Sequence, residues 1–81
     1  MVQPDSIKQS IEQGMACELV RVTGDGQHFE AVIVSAEFAG KSRIQQHQLV
    51  YRALGDRMKA EIHALSMKTF TPEQWAEVSH G

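Results

Sequence analysis

Residues 61–75 read EIHALSMKTFTPEQW, and this stretch decides the fold. The run over 62–67 predicts a short buried strand, followed by a brief turn and a strongly punctuated helix start. Thr71 is placed to cap the helix, Pro72 suits its first position, and Gln74 completes a Thr-x-x-Gln capping box. Phe70 before the cap and Trp75 at the fourth helical position have the spacing of a hydrophobic staple. Thr71 and Trp75 therefore read as structural residues. One imidazole, His63, stands at the start of the strand. Two inward-facing sets, Ile62/Ala64/Ser66 or His63/Leu65/Met67, fit the pattern equally.

Immediately upstream, Ser42 is placed to cap a helix over 43–58. At 100° per residue, Ile44, His47, Val50, Tyr51, Leu54 and Met58 fall within one third of its circumference and predict an inward face. Gly55 weakens the last turns by roughly 1 kcal/mol. Before that helix, two strands are predicted over 17–23 and 28–35, joined by the turn Gly24-Asp25-Gly26-Gln27. Pairing Thr23 with His28 sets Val22 against Phe29, Arg21 against Glu30 and Val20 against Ala31. It puts Val20, Val22, Phe29, Ala31 and Ile33 on one face and Cys17, Leu19, Val32 and Val34 on the other. A first helix over 4–14 has Pro4 at its start, Gly14 to close it in a left-handed conformation, and the stripe Ile7, Ile11, Met15.

The predicted order is αββαβα, an α+β domain over 1–81 with a three-stranded mixed sheet, helices packed on it, and a frayed tail over 79–81. The unit from second strand through helix to third strand is a β-α-β crossover, which makes those two strands parallel. Parallel neighbours about 4.8 Å apart start at the same edge. The topology thus brings His28 and His63 to one end of the sheet.

Eighty-one residues bury only a modest core and leave little room for a deep substrate cavity, which argues against an enzyme. Eight Lys and Arg against ten Asp and Glu give a net charge of −2, the wrong sign for a dedicated nucleic-acid binder. The one cysteine cannot form an intrachain disulfide, so a reducing cytoplasmic setting is expected. No signal-peptide pattern or membrane-length apolar run is present in the sequence.

Neutral imidazole is a common metal ligand. Two histidines are too few for a closed zinc site but enough for half of a shared one. The competing reading makes His28 a surface loop residue and His63 a packed, hydrogen-bonded one. His47, inside the apolar stripe, reads as a structural boundary histidine, and Cys17 as a buried, inert thiol. Lys41, Ser42 and Arg43 precede a helix N-terminus and form a weak candidate surface for an anion or nucleic acid. No nucleophile arrangement or carboxylate pair stands out.

Across most of its length the chain resembles the BolA-like proteins. The resemblance rests on HFEAVIVSAEFAGKSRIQQHQLVYRAL followed by EIHALSMKTFTPEQW, and on the combined pattern Phe38-x-Gly40-Lys41-Ser42, His47, His63-Ala64-Leu65 and Thr71-Pro72-Glu73-x-Trp75. It implies a fold like a class II KH domain and a non-enzymatic accessory role. The implied partner is a monothiol glutaredoxin, with a [2Fe-2S] cluster shared between its cysteine, glutathione and imidazole of this chain. His63 matches the family's C-terminal ligand histidine and His28 its second ligand position. No cofactor is expected in the isolated chain, which would be a monomer or weak homodimer, engaged in cluster trafficking, iron-status signalling or stress response. The alternative is a small nucleic-acid-binding regulator using the KH-like surface. Two departures count against that alternative. Many relatives carry Arg-His where this chain has Gln46-His47, which removes a cation from that surface. The stretch Gly40-Lys41-Ser42-Arg43 also keeps only the first glycine of a GxxG clamp.

Overall fold

A computed structural model of the chain describes residues 3–25, 27–55 and 65–80. The elements run α1 (Pro4–Gly14), β1 (Leu19–Gly24), β2 (Phe29–Val34), the 3-10 turn Ala36–Phe38, α2 (Arg43–Leu54), β3 (Leu65–Phe70) and α3 (Pro72–His80). The αββαβα order and the mixed sheet expected from the sequence are both present. Sheet order is β1-β2-β3, with β1 antiparallel and β3 parallel to the central β2.

Strand β2, FEAVIV, is apolar at five of six positions because it is central and covered. Phe29, Ala31 and Ile33 face α1 and α2. They meet Ile7 and Ile11 of α1, Val50 and Leu54 of α2, Val20 of β1, and Phe38 from the 3-10 turn. The opposite face of β2 carries Val34, also buried, with Phe70 of β3 as its Cα partner.

The faces of the first two strands are as expected, but the register differs by two residues. Val20 lies opposite Ile33, Val22 opposite Ala31, Thr23 opposite Glu30 and Gly24 opposite Phe29. A shift of two keeps every side chain on its face but changes each cross-strand partner, so Arg21 lies opposite Val32 and the predicted Arg21–Glu30 charge pair is lost. The cause is the turn. Asp25 Oδ1 accepts from the backbone N–H of Gln27 and of His28, both at 2.9 Å, and the Asp25 N–H donates to the His28 carbonyl. The reversal therefore occurs at Asp25, and Gly24 stays in the strand. A Cβ at Gly24 would lie 2.5 Å from the Phe29 ring and 2.6 Å from the His28 carbonyl oxygen, so only glycine fits there.

Helix α2 departs from its expected inward face. Val50 and Leu54 are buried, but Ile44 is 71% exposed and Tyr51 38%, while Gln46 is only 8% exposed. The inward face is centred on Gln46, Val50 and Leu54 because the Gln46 carboxamide meets polar partners under the helix. The helix ends at Leu54. Gly55 takes φ +67° and its N–H donates to the Tyr51 carbonyl, so this glycine terminates the helix instead of weakening its interior. Gly14 is not left-handed; it is the last residue of α1, and a Cβ there would lie 2.6 Å from the Ala53 backbone of α2.

Strand β3 extends through Lys68, Thr69 and Phe70, where a turn was expected. Leu65 and Met67 pack against the core while Ser66 and Lys68 are exposed, so the inward set is the one containing Leu65 and Met67. Ile62, His63 and Ala64 lie outside the described residues. The corner into α3 forms as predicted. The Thr71 hydroxyl accepts from Gln74 N–H, the Gln74 side chain accepts from Thr71 N–H, and the Phe70 and Trp75 rings meet at a tilt of 53° with centroids 5.5 Å apart. Helix α3 continues to His80, past the expected fraying point.

Candidate functional site

Two regions carry the candidate residues. The first is the sheet edge where β2 begins. The parallel register sets Phe29 opposite Leu65, so both strands enter the sheet from the same end. His28 directly precedes Phe29 and is exposed. Asp25 holds both the backbone N–H and the carbonyl of His28, and the His28 imidazole makes no side-chain hydrogen bond among the described residues. The backbone N–H groups of His28 and Gln27, both donating to Asp25 Oδ1, hold the Asp25 carboxyl below the usual aspartate range. His63, two positions before Leu65 in the chain, lies outside the described residues.

The donor set at this edge can be tested against the implied cluster. Among the described residues, no three His, Cys, Asp or Glu side chains converge on a point that could hold a metal ion. That does not fit a closed structural site. An exposed imidazole on a braced turn does fit a terminal ligand, with the remaining ligands supplied by another molecule. Cys17 is not near such a role. It is half-buried ahead of β1, not fully buried within a strand as expected, and its thiol is pushed up to about 11 by burial first, then by the charges of Glu37 and Glu12. It is a protonated thiol at neutral pH.

The second region surrounds the start of α2. Gly40, with φ +75°, leads into Lys41, Ser42 and Arg43, all exposed. The Ser42 hydroxyl accepts from Gln45 N–H at 3.2 Å, and the Gln45 side chain accepts from Ser42 N–H at 2.9 Å. This capping box uses two of the amide donors an anion would otherwise find at the helix end. Arg43 and half-buried His47 then face β3 across a groove of about 400 Å³, whose other walls are Met67, Lys68, Thr69 and Phe70.

Gln46 is a structural brace that the apolar sequence pattern does not reveal. Its carboxamide nitrogen donates to the carbonyls of Phe38 (3.2 Å) and Lys41 (3.0 Å), and its oxygen accepts from the Thr69 hydroxyl (2.6 Å). It ties the Gly40 loop to both α2 and β3. The Gln46 side chain points inward and is only 8% exposed. The signal in the sequence was the i, i+4, i+8 series Gln46, Val50, Leu54. Lys68, another wall of the groove, falls in the stretch that reads as a turn in the sequence.

Comparison with known proteins agrees with this architecture. The family model for BolA-like protein matches residues 2–74. The acid stress protein IbaG of Escherichia coli is 34% identical over 93% of this chain and 90% of its own length. The DNA-binding transcriptional regulator BolA of Haemophilus influenzae is 44% identical over 64% of this chain, and BolA-like protein 1 of Mus musculus is 32% identical over 89%. The matched regions span 50% and 60% of those two relatives' lengths. Among solved structures, a bolA homologue from Coxiella burnetii superposes with a TM-score of 0.79 at 47% identity, covering 94% of this chain and 99% of that one. Yeast Fra2 gives 0.74 at 33% identity, covering 95% of this chain and 87% of that one. The BolA domain of SufE1 from Arabidopsis thaliana gives 0.70 at 34%, covering 86% and 92%. With its motif pattern, its mixed sheet and these matches in agreement, the chain belongs to the BolA-like protein family.

Proposed function

We propose that this BolA-like chain acts without catalysis, as the imidazole-donating partner of a monothiol glutaredoxin that holds a [2Fe-2S] cluster with glutathione. The observation that supports this reading is the common entry edge of β2 and β3, where the exposed His28 stands on a turn fixed by Asp25. His28 and His63 are the residues the reading assigns as ligands. The cluster, when bound, would supply the redox and delivery chemistry. This chain contributes neutral imidazole in place of thiolate, which removes negative charge from the ligand set and tends to raise the potential. Because a protonated imidazole cannot ligate, the complex loosens as pH falls.

Anaerobic reconstitution with a monothiol glutaredoxin and glutathione tests this by visible circular dichroism. Adding the wild-type chain should change the spectrum of the glutaredoxin-held cluster. His63→Ala should abolish the change and His28→Ala should weaken or alter it. An unchanged spectrum with the wild-type chain overturns the reading.

A second reading, a nucleic-acid-binding regulator, draws support from the exposed Lys41, Ser42 and Arg43 and from the name of the Haemophilus relative. It predicts steeply salt-dependent binding that is lost in Lys41→Ala/Arg43→Ala and kept in His63→Ala. The cluster reading predicts the reverse pattern for the spectral change.

A further inference from the structure

The groove beside α2 has a backbone side as well as a side-chain side. Among the described residues β3 has a strand neighbour on one flank only. The Phe70 carbonyl accepts from Ser35 N–H at 3.0 Å, which fixes the direction of its peptide groups toward β2. In a parallel ladder the pattern alternates, so Lys68 and Ser66 also pair inward, and the N–H and C=O groups of Met67 and Thr69 face the open flank. Unpaired strand edges of this kind are templates for another strand. This flank lies along the groove whose walls are Arg43, His47, Met67, Lys68, Thr69 and Phe70.

The charge of that lining selects among occupants. Arg43 and Lys68 are both exposed cations, and the described walls include no carboxylate. Met67 and Phe70 add apolar surface to its walls. Two cations and a strand edge that is open among the described residues suit an extended acidic segment better than a nucleic-acid backbone. A nucleic-acid track would need a longer row of cations, and this chain has net charge −2. We propose that the open edge of β3 receives an extended acidic peptide of a partner protein as an added fourth strand, pairing with the backbone of Met67 and Thr69 and setting a carboxylate between Arg43 and Lys68. This is recognition by β-augmentation, in which main-chain pairing supplies affinity and a side-chain pocket supplies specificity. The site is independent of the cluster reading, since it uses neither His28 nor His63.

Fluorescence anisotropy with the full chain provides the test. The probe is a labelled peptide of about eight residues alternating Glu with Val or Thr, long enough to span the strand. Its controls are the same peptide with Lys for Glu, the same peptide N-methylated at alternate residues, and a single-stranded oligonucleotide. The acidic peptide should bind at least about tenfold more tightly than each control. Arg43→Glu and Lys68→Glu should each weaken it by about tenfold and reverse the preference toward the Lys peptide. Both positions are exposed, and Glu suits the first turn of α2, so folding is retained and is checked by the Trp75 fluorescence. Equal binding of the N-methylated peptide, tighter binding of the oligonucleotide, or indifference to both substitutions overturns the proposal. Self-association of the chain without peptide, abolished by Arg43→Glu, reassigns the edge to a second copy and also overturns it.

Discussion

The hydroxyl of Thr69 in β3 donates to the carboxamide oxygen of Gln46 in α2 over 2.6 Å, while the carboxamide nitrogen holds the carbonyls of Phe38 and Lys41. One buried side chain thus joins a helix, a strand and the loop carrying Gly40. Removing one member of such a set leaves the others unpaired in a poorly hydrated place, which costs about 1–3 kcal/mol. Gln46→Ala should therefore destabilise the domain by about that amount in urea unfolding. Thr69→Val orphans only the carboxamide oxygen and should cost less. The double variant should fall short of the sum of the two, giving a coupling energy on the order of 1 kcal/mol.

The two helices on the core face touch where Gly14 meets Ala53. A methyl group at Gly14 would lie 2.6 Å from the Ala53 backbone, and backbone cannot step aside as a flexible side chain can. Gly14→Ala should destabilise by about 1–3 kcal/mol through overpacking, despite the better helix propensity of alanine. Ala53→Gly would relieve contact with the Ala53 side chain, 2.7 Å from the new methyl, but not with its backbone, so rescue should be partial. Thermal unfolding of the single and double variants measures both effects.

At the other end of the chain, Thr71→Ala should cost about 1 kcal/mol by removing one half of a capping box, measurable as a lowered urea midpoint with unchanged slope. That corner was legible in the sequence because its signals are local: Thr71, Gln74, Phe70 and Trp75 lie within six positions and each has one role. The element order and the faces of β1 and β2 were legible for the same reason, since period-two alternation survives an error in register. The register itself was not, because it depends on one carboxylate oxygen of Asp25 accepting two amides. The inward face of α2 was also illegible. Periodicity placed Ile44 and Tyr51 inside, yet a glutamine won that position because two carbonyls of the preceding loop and the hydroxyl of remote Thr69 converge beneath it. For the candidate site, topology alone brought the entry of β3 to the His28 edge. The groove along β3 was hidden by reading Lys68 and Thr69 as a turn.

Asp25 governs the turn that carries His28, and its ionisation should be visible there. Its carboxyl is held below the usual value by the Gln27 and His28 amides. A depressed folded-state pKa means that the carboxylate stabilises the turn above the unfolded value of 3.8, and that this contribution is lost as pH falls through the lower folded value. In an NMR titration the Gln27 and His28 amide resonances should move together with the Asp25 carboxyl, at a midpoint below 3.8. Asp25→Asn keeps an acceptor oxygen and should preserve the turn at neutral pH, whereas Asp25→Ala should broaden both amides. If Asp25→Ala leaves them unchanged, the turn is not held by this side chain.

The lone thiol, ahead of β1 and away from the Asp25 turn that follows the strand, gives a further check. Burial pushes the Cys17 pKa from 9.0 up to about 11, with Glu37 and Glu12 adding like-charge repulsion to the thiolate. The thiolate is the reactive form, so at pH 8 alkylation should run about 100-fold slower than for a thiol with the unshifted value, before any steric effect. The sign for stability follows from the raised value. The neutral thiol is accommodated below pH 9, and stability falls as pH rises between 9 and 11, where the unfolded chain ionises first. Glu37→Gln should accelerate labelling at fixed pH by removing one negative charge. It must be read alongside a stability measurement, because Glu37 also accepts the Ala16 N–H at 2.8 Å. Labelling of wild type at the rate of an unshifted thiol would show that Cys17 is neither shielded nor held protonated by its surroundings.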